Sequence, residues 1–340
     1  MNYFVTGGTG FIGRFLIPRL LDRGATIYLL VRPESLGKLQ ALRDLWGASP
    51  EQVIAVEGDL NRKRLGVKPA WVRGHAGTID HFFHLAAIYD MKADAESQRV
   101  SNVNGTAQAI SLAKGLDVGC FHQVSSIAAA GLYEGTFTED MFEEAGAMDH
   151  PYFLTKHESE GLVRKARGLN WRIYRPGMVV GHSRTGEMDK IDGPYYFFEL
   201  IQNLSRVTPE GLPLVMNKAG LLNIVPVDYV VDAMDYLAHV PGHDGECFFL
   251  TDPDGIRVGD LLKTIMEVAH GPKLRAMDLK ILDKATQLAG EGIGRIAPLR
   301  NLGEKAVAKL GIPPQIIGYI NYPTEFDSSK TRALLEPAGI

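Results

Sequence analysis

Tyr3-Phe4-Val5-Thr6-Gly7-Gly8-Thr9-Gly10-Phe11-Ile12-Gly13 is the stretch that decides the fold. A β-prone apolar run comes first, then glycines at 7, 10 and 13, then Phe11, Phe15, Leu16 and Leu20 at helical spacing until Gly24. A strand that turns tightly into a helix exposes backbone N–H groups at the helix's positive end. Outward from it, Ala25–Val31, Val53–Val56, His81–Leu85, Cys120–Val124 and Trp171–Tyr174 read as further strands, with helical patterns between most of them. Strands apolar on both faces, alternating with helices, predict an α/β fold: a doubly wound, mostly parallel sheet of the Rossmann type. Pro18 falls inside the first helix, where it removes the partner of the Arg14 carbonyl at a cost of up to about 3 kcal/mol.

The 340 residues, 45% hydrophobic and 22% charged, suffice for one large α/β domain or two small ones. From Gly181 the pattern turns irregular, yet Val225–Val240 reads as a helix entered through Pro226 and Cys247–Leu250 as a strand. The dinucleotide-binding domain is therefore expected over 1–180, completed by 223–250. A smaller, discontinuous substrate domain is expected from 181–222 and 251–340. A net charge of −4 argues against nucleic acid as a partner. Two cysteines, Cys120 and Cys247, exclude a disulfide framework and fit a reducing compartment. The chain opens without a basic and apolar leader and holds no apolar run near the roughly 20 residues of a membrane span. A cytoplasmic protein without a membrane span is expected. No metal is expected either, because His81 and His84 have no third ligand at suitable spacing.

Gly7, Gly10 and Gly13 form the predicted pyrophosphate cradle. The second strand ends in Arg32, where an enzyme using NAD normally offers a carboxylate to the ribose hydroxyls. A guanidinium there pairs with a 2′-phosphate, so NADPH is the expected cofactor; a solvated arginine at a strand end is the alternative. Asp59 in Gly58-Asp59-Leu60 either accepts from the adenine amino group or caps a turn.

Tyr152 and Lys156 stand four apart in a helix that starts at Pro151, so both side chains share one face. A phenol with a reference pKa near 10 becomes a useful acid or base only when a neighbouring ammonium favours its ionised form. Ser126, or its neighbour Ser125, follows the fifth strand and can hold a carbonyl oxygen against Tyr152. Asn102, on the preceding helix, can hold a water that links Lys156 to solvent.

These segments, with His84-Leu85-Ala86-Ala87, the Asn102 segment and Arg175-Pro176-Gly177, resemble the extended short-chain dehydrogenase/reductases over nearly the whole chain. In that family Ser126, Tyr152 and Lys156 would be the catalytic triad. Thr9, Phe11, Ile12, Leu60, Ala86, Pro176 and Gly177 would join the glycines at the cofactor. More closely, Ser125–Leu132, Lys156–Glu160, Tyr174–Met178, Gly193–Phe198 and Asn223–Asp228 resemble the N-terminal half of two-domain, alcohol-forming bacterial fatty acyl-CoA reductases. That resemblance implies NADPH-dependent reduction of long-chain substrates, fatty aldehyde to fatty alcohol first. Reduction of an acyl-CoA or acyl-carrier-protein thioester to aldehyde is the close alternative, and a sugar-nucleotide epimerase or dehydratase uses the same fold and triad. Those reductases continue into a second reductase domain and this chain stops at Ile340, so such a domain or an acyl-CoA reductase is the expected partner. Tyr195–Phe198 suits an acyl channel or the core of a small domain, and the weakly amphipathic stretch from Leu279 to Leu310 suits core helices or a pocket cap.

Overall fold

The computed structural model describes residues 1–88, 94–189, 195, 214–217, 221–268, 274–277 and 322–340. Seven strands form one sheet: β1 (Asn2–Thr6), β2 (Thr26–Val31), β3 (Val53–Glu57), β4 (His81–His84), β5 (Cys120–Val124), β6 (Trp171–Pro176) and β7 (Glu246–Leu250). Their order is 3-2-1-4-5-6-7 and every pairing is parallel. The direction of winding reverses between β1 and β4. In such sheets the crevice beyond the carboxyl ends at that point is where ligands bind.

Both faces are covered, as a parallel sheet requires. On one, Tyr3 and Val5 pack with Leu16 and Ile17 of α1 (Phe11–Asp22) and with Met234 and Leu237 of the helix Val227–His239. On the other, Phe4, Phe82 and Phe121 pack with Ala109 and Leu112 of the helix that precedes β5. α2 (Leu36–Trp46) follows β2, and α3 (Gly105–Leu116), α4 (Pro151–Arg164) and α5 (Val227–His239) complete the set used below. α1 and α5 are also joined by Arg19–Asp232 and Arg23–Asp235 ion pairs at 2.6 and 2.8 Å.

Pro18 is tolerated for a specific reason. The Arg14 carbonyl that it leaves without a helical partner accepts the indole N–H of Trp46, at the end of α2, at 3.1 Å. The cost expected of an interior proline is thereby offset by a tertiary hydrogen bond.

The chain divides into two compact units, one of residues 1–189, 225–253 and 324–340, the other of 190–224 and 254–323. In the second, Leu214–Asn217 pairs parallel with Leu274–Met277, and Leu221–Leu222 pairs antiparallel with Ile256–Arg257. The tail differs from its expected placement in the smaller domain. Thr324–Asp327 pairs with Gly135–Thr138, and the buried Glu139 carboxylate accepts the N–H groups of Lys330 and Thr331 at 3.1 and 3.2 Å. A carboxylate at those free amides fastens the last helix, Ser329–Leu335, to the sheet unit. Apart from Tyr195, the aromatic stretch to Phe198 and the Leu279–Leu310 stretch lie outside the described residues. No described helix is long and apolar enough to cross a membrane.

Candidate active site

The turn after β1 passes so close to other backbone that side chains are excluded. Gly7 has φ +72°, and a Cβ there would stand 2.6 Å from the Ala86 nitrogen, just beyond β4. A Cβ on Gly13 would come within 2.4 Å of the Gly8 Cα. Gly10 is different: its φ of −84° suits any residue, and a Cβ would touch only the Gly7 oxygen, at 3.1 Å. The fold itself asks least for glycine at this position. No side chain caps α1, and its first turn carries no acid. A bare helix start with an open face, set at the reversal point of the sheet, fits a dinucleotide's pyrophosphate.

The remaining cofactor candidates lie in this turn, after β2, β3 and β4, and at the end of β6. Thr9, Phe11 and Ile12 are half-buried, and the Ala86 N–H approaches the Thr6 hydroxyl at 3.4 Å. Arg32 follows β2 with its side chain 61% exposed, 3.3 Å from Glu34, a geometry open to an anionic group in solvent. Asp59 Oδ1 accepts the Asn61 N–H at 2.9 Å, so this carboxylate caps its own turn, while Leu60 packs in the core on that face. Pro176 ends β6, and Gly177 N–H bonds to the Leu250 carbonyl at 3.0 Å.

α4 starts with Pro151 at its first position, and the His150 ring accepts the Tyr152 N–H at 3.1 Å. Lys156, one turn on, is buried; its Nζ donates to the Val124 carbonyl at 3.3 Å and lies 6.0 Å from the centre of the Tyr152 ring. Burial pushes the Lys156 pKa down to about 8 against the opposing pull of Glu160, so at neutral pH most molecules keep the ammonium. Ser126 follows β5, and its Oγ accepts the Ala128 N–H at 3.2 Å to cap the short helix Ile127–Ala130, against which α4 packs. The neighbouring Ser125 differs: its hydroxyl donates to Glu160 Oε2 at 2.7 Å.

Asn102 is tied into the fold by its own side chain. It sits in a π-helical turn, Arg99–Asn104; its amide donates to Ile88 O and Thr155 Oγ1 and its Oδ1 accepts from Ile88 N, at 2.9, 3.2 and 2.8 Å. Its carbonyl accepts the Thr106 hydroxyl at 2.7 Å. Both amide hydrogens are spent on tying the stretch after β4 to α4.

Four further polar residues near the site are not singled out for a role by the sequence, although His84, Glu160 and Arg175 lie in the quoted segments. His84 bridges Thr6 Oγ1 and Thr106 Oγ1 at 2.8 and 3.1 Å, joining the ends of β1 and β4 to α3; burial, then Lys156, holds its pKa down near 3, so the ring is neutral. Arg14, beside Gly13, reaches Glu187 and Asp189 at 3.0 and 2.8 Å. Glu160 and Arg175, both fully buried, form an ion pair at 2.6 Å.

Comparison with known proteins agrees with this picture. The family described as male sterility protein, an NAD-binding family, matches residues 5–234. The chain is 29% identical over 316 residues to one of the proteins of the linear gramicidin synthase of Brevibacillus parabrevis, covering 88% of this chain and 6% of that protein. It is 27% identical to the aldehyde reductase lnbA of Aspergillus flavus, covering 94% and 33% respectively. The chain thus spans a third or less of these relatives. Among solved structures it is similar to the terminal R domain of the myxalamid PKS-NRPS pathway, with a TM-score of 0.74 and 26% identity over 99% of this chain and 85% of that one. UDP-glucuronic acid 4-epimerase from Bacillus cereus, solved with NAD, superposes with a TM-score of 0.65 at 16% identity over 99% and 92% of the two chains, a likeness of fold alone.

Proposed function

This chain belongs to the male sterility protein family of NAD-binding domains, and from that premise we propose that it is an NADPH-dependent reductase of aldehydes. The observation that carries the reading is the Lys156 ammonium, buried 6.0 Å from the Tyr152 ring and hydrogen-bonded to the carbonyl at the end of β5, two residues before Ser126. When bound, the reduced cofactor supplies a hydride to the carbonyl carbon. Tyr152 gives its phenolic proton to the carbonyl oxygen as negative charge develops there, Ser126 donates a second hydrogen bond to that oxygen, and Lys156 stabilises the phenolate left behind. Solvent then returns a proton to Tyr152. Gly7, Gly10, Gly13 and the start of α1 hold the pyrophosphate, and Arg32 selects the 2′-phosphate.

Two relatives are named aldehyde reductases. Long-chain aldehyde, reduced to the alcohol, is the substrate class that the resemblance of the Ser125–Leu132 and Lys156–Glu160 segments favours, with a second reductase domain or an acyl-CoA reductase as the supplier. A thioester reductase that releases aldehyde is the second reading. It is favoured by the 26% identity to a terminal R domain of a synthetase.

The test offers the purified protein NADPH with long-chain aldehyde and, separately, with acyl-CoA, and identifies the product. Alcohol from aldehyde, with little NADPH consumed on acyl-CoA, supports the first reading. Aldehyde accumulating from acyl-CoA establishes the second. NADPH consumed with neither substrate overturns both.

A further inference from the structure

Ser126 is held in place chiefly through its neighbours. The Val124 carbonyl accepts from Lys156 Nζ at 3.3 Å, and the Ala129 carbonyl accepts from His157 Nδ1 at 2.9 Å. Between them the Ser125 hydroxyl donates to Glu160 Oε2 at 2.7 Å, and the Ser125 N–H bonds to the Tyr174 carbonyl of β6, also at 2.7 Å. Three residues of α4, at positions 156, 157 and 160, therefore grip the peptides on either side of Ser126.

Glu160 is the anchor of that grip. Arg175 of β6 donates through Nε to Oε2 at 3.0 Å and through Nη2 to Oε1 at 2.6 Å, and Arg164 Nε reaches Oε1 at 2.8 Å. With Ser125, all four lone-pair positions of the carboxylate are occupied. Burial pushes the Glu160 pKa up, but the Arg175 charge and these hydrogen bonds override it and hold the group near 2, fully ionised. Its negative charge lies one helical turn from Lys156 and supports the ammonium there.

Resting on the reductase reading above, we propose that Glu160 and Ser125 are positioning residues, the Ser125–Glu160–Arg175 link fixing where the Ser126 hydroxyl stands relative to Tyr152 and Lys156. A buried ion pair that only stabilises the fold would have no reason to recruit the serine next to the oxygen-binding one. It would leave kcat and the exchange of the Ala128 and Ala129 amides unchanged when Ser125 alone is altered.

Two variants test this. Ser125→Ala removes one neutral donor from a carboxylate that keeps three others, so the protein is expected to fold. Its kcat should fall about tenfold, as small misplacements of reacting groups do, while the KM for NADPH stays at the wild-type value. Amide hydrogen exchange at Ala128 and Ala129 should quicken in the protein without substrate. Glu160→Gln removes the charge, and the Lys156 titration, followed by NMR of 13C-lysine protein without cofactor, should move below its wild-type position, as should the alkaline limb of the kcat profile. Wild-type kcat together with unchanged exchange in Ser125→Ala overturns the proposal, and so does an unmoved Lys156 titration in folded Glu160→Gln. If Glu160→Gln does not fold, Ser125→Ala decides alone. An inactive wild type would sink the reductase reading, whereas exchange and titration, read without substrate, would still decide this one.

Discussion

Two clusters of buried and half-buried ionisable side chains lie on opposite faces of the seven-stranded sheet, and one is charged where the other is neutral. One holds Lys156 and Glu160 of α4 and Arg175 of β6, all buried and charged. On the face that packs with α1 and α5, Tyr3 OH meets His239 Nε2 at 2.6 Å, His81 Nδ1 meets His122 Nε2 at 2.9 Å, and His122 Nδ1 meets Tyr174 OH at 3.0 Å. These groups are neutral. Burial pushes the His81 pKa down to about 4, takes His122 well below its usual value and lowers His239, and it raises Tyr3 to about 12. Burial disfavours the charged form in both clusters, and the charged one is the more deeply buried, so the partners decide the difference. The carboxylate finds two guanidiniums and a hydroxyl, whereas each imidazole finds another ring nitrogen, a phenol or a carbonyl, partners that satisfy a neutral ring and repel a second proton.

The largest effect that would sharpen this contrast is Arg175→Met, which leaves Glu160 buried with only Arg164 and Ser125. It should cost about 3–5 kcal/mol in urea unfolding, as loss of one partner from a buried pair does. Pairing it with Glu160→Leu should recover most of the loss. Failure of the second change to recover stability would show that the charges there are not coupled.

The histidine cluster gives an effect of intermediate size, through pH. Its folded-state pKa values lie below the ordinary 6.5, so above that pH its contribution is complete. As pH falls from 6.5 toward 4 the unfolded chain takes up protons that the folded one refuses. Each such group then costs about 1.4 kcal/mol per pH unit. His81→Phe should flatten that slope, and an unchanged slope would break the comparison. The smallest effect is Tyr3→Phe, which deletes a neutral hydrogen bond to His239; its cost should stay near 1 kcal/mol in the same assay. A loss as large as that of Arg175→Met would mean that this cluster is charged after all.

The clusters differ also in how legible they are in the sequence. The strands, the glycine turn and the Tyr152–Lys156 pair depend on spacing within one element or one turn, and residue patterns carry that directly. Glu160 and Ser125 are 35 positions apart, and Glu139 and Thr331 are 192 apart. Nothing local in either residue names its partner. For that reason the docking of 324–340 on the sheet unit departs from its expected place. The same holds for Pro18: its cost is visible in the sequence, but the Trp46 donor that offsets it belongs to the next helix. Asn102 is recognisable as a polar residue at the site, but its partners Ile88 and Thr155 appear only when β4, α3 and α4 are assembled.

The account stands on the proposal that Tyr152 is the proton donor of an NADPH-dependent reduction, and wild type and Tyr152→Phe compared side by side test it most directly. NADPH binding is read by fluorescence and turnover by NADPH oxidation with a long-chain aldehyde. Wild type should turn over, and Tyr152→Phe should bind NADPH equally well while kcat drops by about 10²–10⁴-fold, the range of a lost general acid. Equal turnover in the two proteins, or a wild type that does not bind NADPH, would contradict it.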